Sequence, residues 1–151
     1  MQQSDCIFCD VITGSAPSVQ VYEDDVCLAI MDIFPIRQGH VLVLPKQHGA
    51  LLHELSDQTR SHLFCVANRI NLAQRRCGIP CDAVNLFVND GKAANQHVPH
   101  VHIHLLPRKQ GDLLKVVVSF FTRMRSYFAQ VSHHKRLVTL AETIKQHIPE
   151  A

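Results

Sequence analysis

Four histidines crowd between positions 97 and 104: His97, His100, His102 and His104. Histidine is the commonest metal ligand and the side chain that titrates nearest neutral pH, so such a cluster calls for a chemical explanation. His100, His102 and His104 are spaced by two, and alternate side chains of a strand share a face. Three imidazoles would line one surface, with Val101, Ile103 and Leu105 on the other. A single histidine there would suit an ordinary half-exposed strand; three in register, with a fourth nearby, favour function. Two chemistries fit. The imidazoles could bind a metal. Alternatively one could be a nucleophile whose neighbours fix its tautomer and receive charge. Just upstream, Asn89-Asp90-Gly91 makes a turn and Asn95-Gln96 follow. Their side-chain amides and the loop N–H groups could hold an anionic oxygen beside the histidine face, although no P-loop pattern is present.

Cysteine is the second anomaly. The chain holds 6 cysteines and 11 histidines. The first residues, MQQSDC, carry neither a basic patch nor an apolar signal core, so the expected compartment is the cytoplasm, where thiols stay reduced. Cys6-Ile7-Phe8-Cys9 is a CxxC pair. A redox pair, half a zinc site and chance all remain open, since no βαβ pattern adjoins it and spacing alone names no further ligands. Cys77 and Cys81 could in principle serve; with Cys27 and Cys65 they are expected to be small apolar filler. His62 with Cys65, at i and i+3, is expected to have no ligand role, and His133, His134 and His147 to be solvated.

The elements that must position these groups follow from patterning. Residues 7–13 suit a short helix, stopped by Gly14 and Pro17. Residues 19–23 and 26–32 are rich in β-branched and apolar side chains and flank Asp24-Asp25, which predicts a hairpin. Residues 40–45 form a third strand. A helix follows, capped by Ser56 or Asp57 and ended by Gly78 and Pro80; Leu63, Ala67, Ile70 and Gln74 lie on one stripe, widened by Phe64 and Val66. Residues 83–90 alternate Val84, Leu86 and Val88 against Asn85, Phe87 and Asn89, a strand. Residues 92–97 are a polar loop and 101–107 another strand. Residues 113–130 are ambiguous between strand and helix; 135–148 carry Leu137, Ala141, Ile144 and Ile148 at helical spacing. A strand meander with a long internal helix argues an α+β fold with an antiparallel sheet.

At 151 residues the chain is expected to be a single domain over 1–151, long enough to fold without staples. Basic and acidic side chains, 15 against 13, leave a formal charge of +2, so no nucleic-acid partner is expected on net charge. No apolar run approaches the roughly 18 residues a membrane span needs.

His100-Val-His102-Ile-His104-Leu-Leu matches the pattern His-φ-His-φ-His-φ-φ, φ being apolar, and resembles the histidine triad (HIT) family. CIFCDVITGSAPSVQVYEDD, MDIFPIRQGHVLVLPKQH and NDGKAANQHVPHVHIHLLPRKQGD resemble its Hint-like branch, so the likeness covers about residues 5–112. The tail from 113 would be an extension with an extra helix. The resemblance implies a five-stranded antiparallel sheet with two main helices, a homodimer, and an AMP-type purine nucleotide as substrate. It implies His102 as nucleophile at the α-phosphorus, forming a nucleotidyl-histidine that water then hydrolyses. His104, His100 and His97 would complete the catalytic group. Asn89, Asn95 and Gln96 would hold phosphate with His102 and His104, Asp32 the ribose, and Ile7, Phe8 and Ile33 the base. Cys6, Cys9, His48 and His100 would bind a structural zinc. Nucleoside phosphoramidates, adenylyl-lysine and dinucleoside polyphosphates are the implied substrates.

This sequence departs from the family in three places. Asn95-Gln96-His97 stands where Gly-Gln-Ser/Thr is usual, His97 replaces a hydroxyl that faces the leaving group, and Pro99 replaces a large apolar residue. Pro99 donates no ladder hydrogen bond, so the strand start should be an edge or unpaired there. Two rivals stand beside the resemblance: a metal hydrolase with the triad as ligands, and a nucleotide-binding interaction module with little turnover.

Overall fold

The computed structural model describes residues 6–122 and 130–150, with side chains described for 6–119 and 134–150. The strands are β1 (Gln20–Glu23), β2 (Cys27–Met31), β3 (Val41–Pro45), β4 (Ala83–Val88) and β5 (Ile103–Arg108). They form one sheet in the order β1-β2-β3-β5-β4, with every neighbouring pair antiparallel. The helices are α1 (Ile7–Ile12), α2 (Asp57–Arg76), α3 (Leu113–Thr122) and α4 (Gln130–Lys145). No helix among the described residues is long and apolar enough to cross a membrane.

The central strands are buried on both faces, which is why they are continuous apolar runs rather than alternating ones. Ala29, Met31, Val41, Val43, Ile103 and Leu105 point to one face and pack with Leu63, Ala67 and Ile70 of α2 and Leu137, Ala141 and Ile144 of α4. Leu28, Ile30, Leu42 and Leu44 point to the other face, where Val11, Phe8 and Ile12 of α1 cover them. Leu42 lies opposite His104 in the ladder, so the histidine face is the α1 face. A one-residue slip of β5 would turn the histidines into the α2 core, so both apolar surfaces hold this register.

Ser56 caps α2, its side-chain oxygen accepting the Thr59 N–H. Gln74 is fully buried on the apolar stripe. Its amide donates to the Gly39 carbonyl at 2.8 Å and the Leu105 carbonyl at 3.3 Å. A polar group there ties the helix to the β2–β3 loop and to β5. Gly39 has φ +82°, and a Cβ on it would meet Ile79 Cδ1 at 2.6 Å, so glycine is required for both reasons.

Several expectations change. His100 and His102 precede β5 rather than lying in it. The run before it is held instead by the Val101 N–H donating to the Gly49 carbonyl, and Pro99 lies in the unpaired stretch, as its missing donor requires. Alternation nevertheless holds, since Val101 joins Ile103 and Leu105 in the α2-side core. Phe64 is 48% exposed, so it does not widen the buried stripe of α2, and Cys65 is exposed rather than filler. Cys27 and Cys77 are buried among apolar side chains, and Cys81 is half-buried. The ambiguous tail is helical over α3, and α4 begins five residues before the expected 135 and ends at Lys145.

Candidate active site

The backbone fixes the tautomer of His102. Its Nδ1 lies 2.7 Å from the His100 carbonyl, which only accepts, so the proton sits on Nδ1 and the lone pair on Nε2. The ring is buried and meets the edge of Phe8 from α1, with centroids 5.1 Å apart. His104 lies 4.7 Å away, ring to ring. Phe87 of β4, opposite His104 in the ladder, stacks on that imidazole at 4.5 Å and 10°.

Behind His104 stands a group that sequence reasoning left without a role. His40 is fully buried; its Nε2 lies 3.0 Å from His104 Nδ1, and its Nδ1 lies 3.1 Å from Asp32 Oδ2. Asp32 Oδ1 accepts the Phe34 N–H at 2.8 Å. The signal for His40 was present, because a histidine opening an apolar strand is an expensive core filler unless something holds it. Phe87 was signalled too, as the one aromatic on the polar face of its strand.

A second cluster sits on the far side of His102. The ligand atoms of Cys6, Cys9, His48 and His100 all lie within 4.8 Å of one another. His100 Nδ1 is 3.5 Å from Cys6 Sγ and 3.6 Å from Cys9 Sγ, and His48 Nδ1 is 3.2 Å from Cys9 Sγ. His100 Nε2–H donates to the Pro45 carbonyl at 2.9 Å, which directs the Nδ1 lone pair at the sulfurs. Burial pushes the His100 pKa down to about 4, against the Pro45 hydrogen bond, and keeps the ring neutral. Burial, and then the neighbouring Cys6, push the Cys9 thiol up to about 11, an electrostatic setting that a dication would reverse. Two sulfurs and two nitrogens at these separations suit a tetrahedral ion with bonds of about 2.3 and 2.0–2.1 Å. The residues therefore fit zinc.

The three triad imidazoles do not converge on a common point. His100 belongs with the cysteines, His104 with His40 and Asp32, and His102 with neither set. This removes the geometric basis for a metal hydrolase with the triad as ligands.

The loop after β4 is braced from within. Gly91 and Asn95 have φ of 98° and 66° and bracket a short 3₁₀ turn. The N–H groups of Ala94, Asn95 and Gln96 point back to the carbonyls of Gly91 and Lys92. Gln96 spends its side chain on the Gly91 N–H and the Ala50 carbonyl, both at 2.8 Å, so it acts as a brace rather than an anion donor in this conformation. Asn89 Nδ2 reaches the Asn95 carbonyl at only 3.4 Å, which leaves its amide available for better partners. His97 is exposed at the end of the loop. Ile7 and Ile33 are 50% and 55% exposed, large apolar side chains beside Phe8 and Asp32 in the chain. His62 is not a ligand with Cys65: its Nε2 lies 2.7 Å from Asp24 Oδ2. His134 and His147 are exposed, as expected, and His133 lies outside the described side chains.

Comparison with known proteins agrees with this geometry. An uncharacterized HIT-like protein of Mycobacterium tuberculosis is 42% identical over 118 residues, covering 78% of this chain and 81% of the relative. The adenosine 5′-monophosphoramidase of Schizosaccharomyces pombe is 38% identical over 103 residues, covering 68% and 74%. Among solved structures, a zinc-bound histidine triad family protein from Mycobacterium smegmatis superposes with a TM-score of 0.76 at 35% identity, covering 94% of each chain. The HIT domain family itself matches residues 13–111, spanning all five strands of the sheet, α2 and the three aligned imidazoles. On sequence, fold and site together, the chain belongs to the histidine triad family.

Proposed function

We propose that this protein is a Hint-like nucleotide hydrolase acting at the α-phosphate of nucleoside phosphoramidates, adenylyl-lysine or dinucleoside polyphosphates. The observation that carries the reading is the His102 clamp: Nδ1–H on the His100 carbonyl at 2.7 Å leaves Nε2 as a neutral nucleophile in a buried site. In the first step Nε2 forms a bond to phosphorus while the bond to the leaving group breaks. His104, stacked on Phe87, would meet the developing phosphoryl charge, and His97 would give the departing group a proton. Water then displaces His102 and releases the nucleoside monophosphate. Asp32 would take the ribose hydroxyls, Ile7, Phe8 and Ile33 an AMP-type base, and Asn89 the phosphate. A structural zinc on Cys6, Cys9, His48 and His100 would pin α1 to the segment before β5 that carries the nucleophile. The phosphoramidase and zinc-bound relatives support this reading of the site.

The test is a substrate panel assayed for AMP: adenosine phosphoramidates, adenylyl-lysine, and diadenosine tri- and tetraphosphate. At least one should turn over, and intact-protein mass spectrometry with an acid-avoiding quench should show a nucleotidyl adduct. His102→Asn should lose the adduct and at least ~10³-fold in turnover while still binding AMP. AMP binding with no turnover of any substrate would favour the interaction module instead.

A further inference from the structure

We propose that His40 couples recognition of the nucleotide's sugar to the phosphate chemistry, through the buried chain Asp32–His40–His104. The idea rests on the nucleotide reading above and adds a positioning residue that makes sugar specificity appear in the rate rather than in affinity alone.

The three side chains are nearly sealed from water: His40 is 0% exposed, His104 6% and Asp32 7%. In so dry a setting hydrogen bonds strengthen one another and leave few alternatives. The carboxylate can only accept, so the 3.1 Å contact places a proton on His40 Nδ1. His40 Nε2 is then a lone pair and accepts from His104 Nδ1–H at 3.0 Å. The Ile36 N–H also approaches His40 Nδ1, but at 3.4 Å, the outer limit for such a bond, so the carboxylate decides the tautomer. The chain thus runs in one direction, with the negative charge at its far end and His104 at its near end.

Asp32 is where the sugar would enter. Oδ1 accepts the Phe34 N–H and Oδ2 meets His40, and a carboxylate oxygen has two lone pairs. Ribose hydroxyls donating to those lone pairs would hold the carboxylate in the plane that His40 needs. A sugar without them leaves the carboxylate half-satisfied in a dry site, free to turn toward water and away from His40. His104 would then lose the partner that fixes Nδ1–H, although Phe87 at 4.5 Å still confines its ring plane. A sugar that simply added binding energy would change ground state and transition state alike and would not alter kcat.

The test is a two-by-two cycle: wild type and His40→Gln, each with adenosine 5′-phosphoramidate and its 2′,3′-dideoxy counterpart, in single-turnover assays. Wild type should favour the ribose substrate by about 10–100-fold in rate, and His40→Gln should flatten that preference to within about 3-fold. Equal preference in both proteins, or a wild-type loss confined to KM, would overturn the coupling. Failure of wild type to turn over either substrate would instead count against the phosphoramidase reading beneath it. Should His40→Gln not fold, histidine ¹⁵N spectra of wild type decide the matter. AMP should shift the Nδ1–H signals of His40 and His104 and 2′,3′-dideoxy-AMP should not; identical shifts would refute the coupling.

Discussion

At the scale of the residue, function here depends on which ring nitrogen carries the proton. His102, His100 and His104 are spaced alike in the chain, yet each has a different Nδ1 partner: a backbone carbonyl, two thiols, and a second imidazole. Under the proposed function the same residue type would therefore serve as nucleophile, ligand and phosphate contact. His97 is the residue-scale departure most open to test. An imidazole can donate a proton where the family's usual hydroxyl cannot do so easily. His97→Ser should slow substrates with basic leaving groups by about 10–100-fold and barely affect those whose leaving groups depart unaided. A pH–rate series on one substrate of each class checks this; equal losses on both would make His97 an ordinary loop side chain.

At the scale of the element, turns carry as much design as strands. Asp24, between β1 and β2, was legible as a turn residue, but its partners were not. Burial alone would raise its carboxyl, yet the Cys27 N–H, His62, the Val26 N–H and the Tyr22 hydroxyl outweigh burial and hold the pKa far below the ordinary 3.8. A carboxyl whose folded pKa is depressed stabilises the fold at pH above its unfolded value, and that contribution is lost as pH falls toward the folded one. Thermal melts should therefore show a stability loss setting in below about pH 4, where the unfolded carboxyl begins to protonate. Asp24→Asn should be less stable than wild type at pH 7 and converge on it in acid. A constant gap between the two curves would mean that Asp24 acts through shape alone. His62, 38 residues away in sequence, reaches this turn only because α2 packs across the sheet.

At the scale of the whole molecule, two sites share one strand entrance. His100 ties the cysteine cluster to the backbone that clamps His102. Protein purified without chelators should contain about one zinc per chain, and removing it should lower thermal stability more than it slows a single turnover. Elemental analysis and paired melts check this; metal-free protein with unchanged stability would contradict it. Assembly is the second prediction at this scale. β4 is a sheet edge with Leu86 exposed, and Leu113, Leu114, Val117 and Val118 are exposed on α3. The side chains of Phe120, Phe121 and Phe128 lie outside the described residues. Apolar surface of this kind suits a homodimer interface. Light scattering at micromolar concentration should give twice 17.0 kDa, and a mass near 17.0 kDa would refute the dimer.

What the sequence determined by itself was periodic or local. Alternation put His100, His102 and His104 on one face, helical spacing put Leu63, Ala67 and Ile70 on another, and Ser56 marked the start of α2. These signals survive because backbone geometry repeats every two or 3.6 residues whatever the chain does elsewhere. The tertiary structure decided what depends on distant partners. Only packing brings Asp32 and His104 to opposite nitrogens of His40, and His48 across to Cys9. Only packing turns Gln96 into a loop brace through Ala50, and leaves Phe64 outside a core whose space the sheet and α4 already fill. A proton's position and a side chain's burial are set by neighbours many residues away, and no local pattern encodes those neighbours.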